Sequence, residues 1–158
     1  MKKLLIHFLT VLTVALLSTS CAGFKKQEIK LREFSREDEN LARTKAAVFA
    51  EAFIQALKNN DFAIWQKHLP ASPSPEKQIT GEKFTAMRRE LLDHFGTFVS
   101  GRYLGDITDG NLRTYLWKLT FSGKKQDKNV IHEIIYFVRV FCEEGKPPTI
   151  SRFGVKLL

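Results

Sequence analysis

Between Leu112 and Ser122 the chain alternates in character. Tyr115, Trp117, Leu119 and Phe121 fall on one side, and Thr114, Lys118 and Thr120 on the other. A period of two is the pattern of a strand with one face buried and one wet. Three further strand-like runs flank it. Thr97–Thr108 ends at Asp109-Gly110, a dipeptide suited to a tight hairpin. Ile131–Glu143 follows a charged tip at Gly123–Asn129, and Thr149–Leu157 follows a turn at Glu144–Pro148, with Phe153, Val155 and Leu157 inward. Four strands with one apolar face need a cover.

The first half supplies amphipathic helices. Ser35, with Asp38 three residues on, reads as a helix start, because the hydroxyl can accept an orphan backbone N–H. Leu41, Val48, Ala52, Phe53, Ala56 and Leu57 then recur at helical spacing to about Lys58. Asn59 and Asn60 break that helix, and Asp61 caps a short second one carrying Phe62, Trp65 and Leu69. Pro70, Pro73 and Pro75 exclude regular structure until Lys77. Thr80 caps a third helix with a Phe84, Met87, Leu91 and Phe95 stripe, closed by Gly96. Helices first and a strand meander afterwards predict an α+β domain, its N-terminal helices packed on a four-stranded antiparallel sheet.

The third strand is apolar on both faces. Ile134, Tyr136, Val138, Val140 and Cys142 alternate with Ile135, Phe137, Arg139 and Phe141. The face bearing Glu133, Arg139 and Glu143 reads as the outer one. Ile135, Phe137 and Phe141 therefore form a candidate interface, covered either by a second molecule or by the chain's own tether.

The chain opens with Lys2 and Lys3, then an apolar run from Leu4 to Leu17, then Ser18, Thr19, Ser20 and Cys21. The run is shorter than the roughly 20 residues a membrane-spanning helix needs, so it reads as a signal peptide. Small residues before a cysteine resemble the lipobox of bacterial lipoproteins, whose cysteine thiol is acylated and becomes the new N-terminus. Ser18 stands where that pattern usually has Leu. A cut after Ser20 or Ala22 by an ordinary signal peptidase, leaving a secreted protein, and an uncleaved anchor are the alternatives. The expected organisation is a signal peptide at 1–20, a lipid-anchored tether at 21–34 and one domain at 35–158. The expected location is lipid-anchored to a bacterial membrane, facing the periplasm.

Removal of 1–20 takes Lys2 and Lys3 from the overall +8 and leaves +6 on 138 residues. The basic residues are scattered among acids along the sequence, which predicts a solvated basic surface and no nucleic-acid partner. With Cys21 acylated, Cys142 is a lone buried thiol; a Cys21–Cys142 bridge is the alternative if it is not.

The segment Phe53–Leu69, reading FIQALKNNDFAIWQKHL, with the third helix, Gly96 and the meander, resembles the nuclear transport factor 2-like (cystatin-like) superfamily over roughly Ser35 to Leu158. The resemblance implies a curved, cone-like sheet with a cavity between helices and strands, and a homodimer through the outer sheet face. The superfamily also contains isomerases and dehydratases, but their catalytic motifs cannot be matched here residue by residue, so no catalytic residue is assigned.

Independent chemistry is sparse. His68, His94 and His132 stand apart from one another, and no metal-ligand spacing occurs, so neither a metal nor a cofactor is expected. No nucleophile elbow or Cys–His arrangement is present. Trp65, Tyr103, Tyr115, Trp117, His132 and Tyr136 are candidates to line a pocket for a small molecule of unknown identity, or else to fill the core. The expected role is non-enzymatic ligand binding or protein assembly; the alternative is a small cavity enzyme using acid–base chemistry around Asp106, His132 or Tyr136, with Tyr115 as a possible donor. Mass spectrometry of the protein from its native cell is expected to find a diacylated Cys21 as the first residue, whereas an intact Met1 would contradict export by cleavage.

Overall fold

The computed structural model describes residues 31–71, 77–125 and 128–157. The predicted signal peptide and the lipidation site Cys21 lie outside the described residues. The fold lies in a compact unit formed by Ile29–Ala71 and Ile79–Leu158. Its elements run α1 (Arg36–Asn59), α2 (Phe62–Gln66), α3 (Gly81–Phe95), β1 (Thr97–Asp109), β2 (Leu112–Lys125), β3 (Lys128–Phe141) and β4 (Thr149–Leu157). The strands form one antiparallel sheet in the order β1-β2-β3-β4. This is the α+β order expected from the sequence. No helix among the described residues is long and apolar enough to cross a membrane.

Local chemistry sets the helix ends. The Ser35 hydroxyl accepts the Asp38 N–H at 3.1 Å, and the Asp38 carboxylate accepts the Ser35 N–H at 3.0 Å, a reciprocal capping box. Asn60, at φ +55°, ends α1 in the left-handed conformation. Asp61 and Thr80 cap α2 and α3 as expected. Gly96 follows α3 at φ +88°, and a Cβ there would run into the Ser122 carbonyl and the Gly123 backbone. Arg88 of α3 donates to the Leu57 carbonyl of α1 at 2.8 Å, satisfying a helix-end acceptor and tying the two helices together.

The core lies between the helices and one sheet face. From α1 it takes Ala42, Ala46, Phe49, Ala50, Ala52, Phe53, Ala56 and Leu57. The alanines let the helix backbone approach the strands, while Phe49 and Phe53 reach between the sheet's own side chains. Phe53 stacks on Tyr136 with ring centroids 4.3 Å apart and planes 14° from parallel. From β2 and β3 come the residues the alternation placed inward: Tyr115, Trp117, Leu119, Phe121, Ile134, Tyr136, Val138 and Val140.

Two strand boundaries differ from expectation. The β2–β3 ladder continues out to Lys125↔Lys128, so the hairpin tip is shorter than the predicted Gly123–Asn129. Lys124 and Lys128 stay exposed along the ladder, and cross-strand backbone pairing needs no apolar partner. At the other end β3 stops at Phe141, not Glu143. Beyond it Glu143 makes a bridge with Leu31, and the Arg32 N–H donates to the Cys142 carbonyl at 3.1 Å. The last residues of the segment read as a tether thus meet the end of the sheet. Cys142 is buried and makes no disulfide among the described residues.

A charged clamp holds that junction. The Arg32 guanidinium grips both carboxylate oxygens of Asp38, with Nη2–Oδ1 at 2.9 Å. Nearby, Arg113 pairs with Glu39 at 2.8 Å and lies 4.5 Å over the ring of Phe34. Arg32 and the Ser35 donors hold the Asp38 carboxyl well below the usual carboxylate range. A depressed folded-state pKa contributes stability above the unfolded value and loses it as pH falls. Asp38→Asn is therefore expected to lower Tm at neutral pH, and to show a smaller loss of Tm than the parent as pH drops below about 4; thermal melts followed by circular dichroism across that range check both.

Candidate functional site

The six residues proposed to line a pocket occupy three different environments. Trp65 is 2% exposed and sits in a box of rings, 4.8 Å from Phe53, 5.6 Å from Phe49 and 5.4 Å from Phe153. Tyr136, 1% exposed, lies under Phe53. Trp117 continues the series, 6.4 Å from Tyr136 and 5.3 Å from Tyr103, and Tyr103 ends it at 42% exposure. His132 stands elsewhere. It pairs across the ladder with Phe121 and packs 5.8 Å from Phe95 at the α3 end of the sheet. His132 and Tyr136 thus have different neighbours, and the structure does not bring them to one place.

Two buried polar atoms in this series have no hydrogen-bond partner, Trp65 Nε1 and Tyr136 Oη. The Tyr136 phenol is pushed far above its ordinary pKa by burial alone. Among the described residues its hydroxyl has no hydrogen-bond partner, and its ring packs against Phe53.

A polar group gathers at the exposed end. The Tyr103 hydroxyl donates to Asp106 Oδ1 at 2.9 Å, and Arg43 of α1 approaches the same oxygen at 3.6 Å. Tyr115, the ladder partner of Asp106, is buried beside them. Burial, then the Asp106 charge, push its phenol up to about 12. At neutral pH both phenols are donors, and Asp106 accepts from Tyr103. The arrangement can orient a polar group. Arg43 was not recognisable as part of it from sequence, because α1 and β1 are brought together only by packing.

A separate open groove of about 330 Å³ runs between α1 and the start of β4, lined by Thr44, Lys45, Val48, His68, Pro148 and Ile150 among others. Lys45 Nζ already donates to the Pro148 carbonyl across it at 2.9 Å. Among the described residues no group of three or more His, Cys, Asp or Glu stands together as a metal site.

The outer sheet face is organised differently. Ladder register puts Gly105, Leu116, Phe137 and Gly154 in one row across all four strands. The Phe137 ring lies against Gly154, where an added Cβ would sit 3.3 Å from it. Ile135 and Phe141 flank Phe137 on β3, two and four residues away and on the same face. Leu116, Ile135, Phe137 and Phe141 are all half-buried, and none belongs to the core cluster. Leu116 joins this group through pairing with Phe137, which the sequence does not reveal.

The sequence matches no family model and no curated protein. The inner face therefore has to be tested directly. Because the Tyr136 hydroxyl is buried without a partner, Tyr136→Phe is expected to leave stability unchanged or to raise it by up to about 1 kcal/mol, measured by chemical denaturation. A loss of that size or more would instead reveal a hydroxyl partner and a polar site in the core.

Proposed function

We propose that this chain is an exported, lipid-anchored protein of the nuclear transport factor 2-like type with a non-enzymatic binding or assembly role, its outer sheet face being the working surface. The contrast between the two faces carries this reading. On the inner face Trp65, Tyr115, Trp117 and Tyr136 are each no more than 4% exposed and fill the space beneath the helices. On the outer face an apolar row centred on Phe137 stays half-open to solvent. Helices followed by an antiparallel meander agree with the superfamily, and the Ser18–Cys21 segment supports the anchor.

The acid–base alternative lacks comparable support. Of its residues only Asp106 and Tyr115 stand together, as ladder partners; His132 packs on Phe95 and Tyr136 is sealed under Phe53, away from that pair.

A photoreactive side chain in place of Phe137, introduced in the native cell, is expected to yield adducts that the same probe in place of exposed Arg89 on α3 does not. Phe137→Glu should abolish the contact while keeping Tm within about 3 °C, since the position lies outside the core. Adducts confined to the helix probe would overturn the assignment of the outer face.

A further inference from the structure

The positive charge of this chain is segregated by the fold. The helices α1 and α3 carry seven basic and seven acidic residues, a balanced set. The four strands carry nine basic residues and only three acidic ones, Asp106, Asp109 and Glu133. Six of the nine fall on the outer face by alternation, Lys124 lying apart towards the β2–β3 hairpin. Arg102, Lys118 and Lys156 share a ladder row with Ile135, and Arg139 and Arg152 share a second row with Thr114. The apolar row of Leu116 and Phe137 lies between them.

These cations are available. Lys118 is paired with Glu133 at 2.7 Å. Arg102, Arg139, Arg152 and Lys156 make no ion pair among the described residues, although Arg139 donates to Thr114 Oγ1 at 3.2 Å. Arg102 and Lys156 are exposed. Glu143, at the end of β3, is already engaged by Lys146. The face therefore presents an apolar strip flanked by unpaired positive charge.

That chemistry selects among occupants. A second copy would set these cations against their own equivalents with one paired carboxylate to offset them, which disfavours self-association here. A surface of phosphates above an apolar layer complements both the flanking charge and the strip. The chain outside the described residues points the same way. Leu31, bridged to Glu143 at the end of β3, is ten residues from Cys21, a reach of at most about 35 Å. An acylated Cys21 keeps the sheet within that distance of a bilayer.

We propose that the outer sheet face docks on an anionic lipid surface, with Arg102, Arg139, Arg152 and Lys156 on the lipid phosphates and Phe137 with Ile135 at the headgroup boundary. The proposal rests on the reading of this face as the working surface and on the lipid anchor that keeps it near the membrane.

The test uses the full chain, processed in its native cell and incorporated into vesicles of phosphatidylcholine alone or of phosphatidylcholine mixed with phosphatidylglycerol. Lysine acetylation is followed residue by residue by mass spectrometry, with exposed Lys58 and Lys67 on the helical side as internal references. On phosphatidylglycerol vesicles the acetylation rate of Lys156 is expected to fall about threefold or more relative to the references, and to recover in high salt. On phosphatidylcholine alone it should not fall, although the protein floats with both. Arg102→Glu with Arg152→Glu should remove the protection without changing flotation. Equal Lys156 rates on the two vesicles would overturn the proposal. So would protection that rises with protein concentration on neutral vesicles, which marks a second copy, or protection there that requires added acidic polypeptide. A chain that fails to float with phosphatidylcholine, yet is protected on phosphatidylglycerol, would overturn the anchor and support the face.

Discussion

The structure depends on covering one face of β2 and β3. Alternation gives that face Tyr115, Trp117, Leu119 and Phe121 from one strand and Ile134, Tyr136, Val138 and Val140 from the other. A face this bulky cannot accept an equally bulky helix without leaving voids, and close packing tolerates few. Helix α1 meets it with alanines at five of its eight core positions and two phenylalanines that interdigitate. Helix α2 follows after a single left-handed Asn60, and its Trp65 closes the space between Phe53 and Phe153. The clamp of Arg32 on Asp38, and the capture of Leu31 by Glu143, follow from where this places the start of α1.

Filling the inner face has a consequence for function. Large aromatics that could have lined a cavity are used as packing, and the polar atoms among them, Trp65 Nε1 and Tyr136 Oη, lie buried without partners. Chemistry on a small molecule needs space and a positioned acid or base, and the inner series supplies neither around Tyr136. What is left open is the opposite face, where Phe137 leans over Gly154 and cations stand on either side. The sheet is thus buried on one side and amphipathic on the other.

Much of the fold was legible residue by residue. Ser35, Asp61 and Thr80 act within one turn of their own positions, so their capping roles could be read locally, whereas Gly96 lies outside the left-handed helical region and is required by the Ser122 and Gly123 backbone. Asp109-Gly110 made its hairpin just as locally as the caps, with Gly110 at φ +53°. The ends of β3 were misplaced because they depend on partners distant in sequence: Lys125 sustains the ladder at one end, and Leu31 takes over at the other. The candidate pocket residues were correctly seen as aromatic and mostly inward. Their separation into a sealed series, an exposed Tyr103 and a remote His132 required the register.

The sequence by itself determined the order of elements, the inward faces of β2, β3 and β4 and the expectation of an exported, anchored chain, because periodicity, capping and a short apolar leader are properties of neighbouring residues. Tertiary structure alone decided where charge and openness lie. Basic residues that look scattered along the chain collect on the sheet, since ladder register aligns positions up to 54 residues apart, such as Arg102 and Lys156, in one row. Helical acids and bases, by contrast, balance within their own elements. Alternation can say that two faces differ; only pairing says which side chains share each of them.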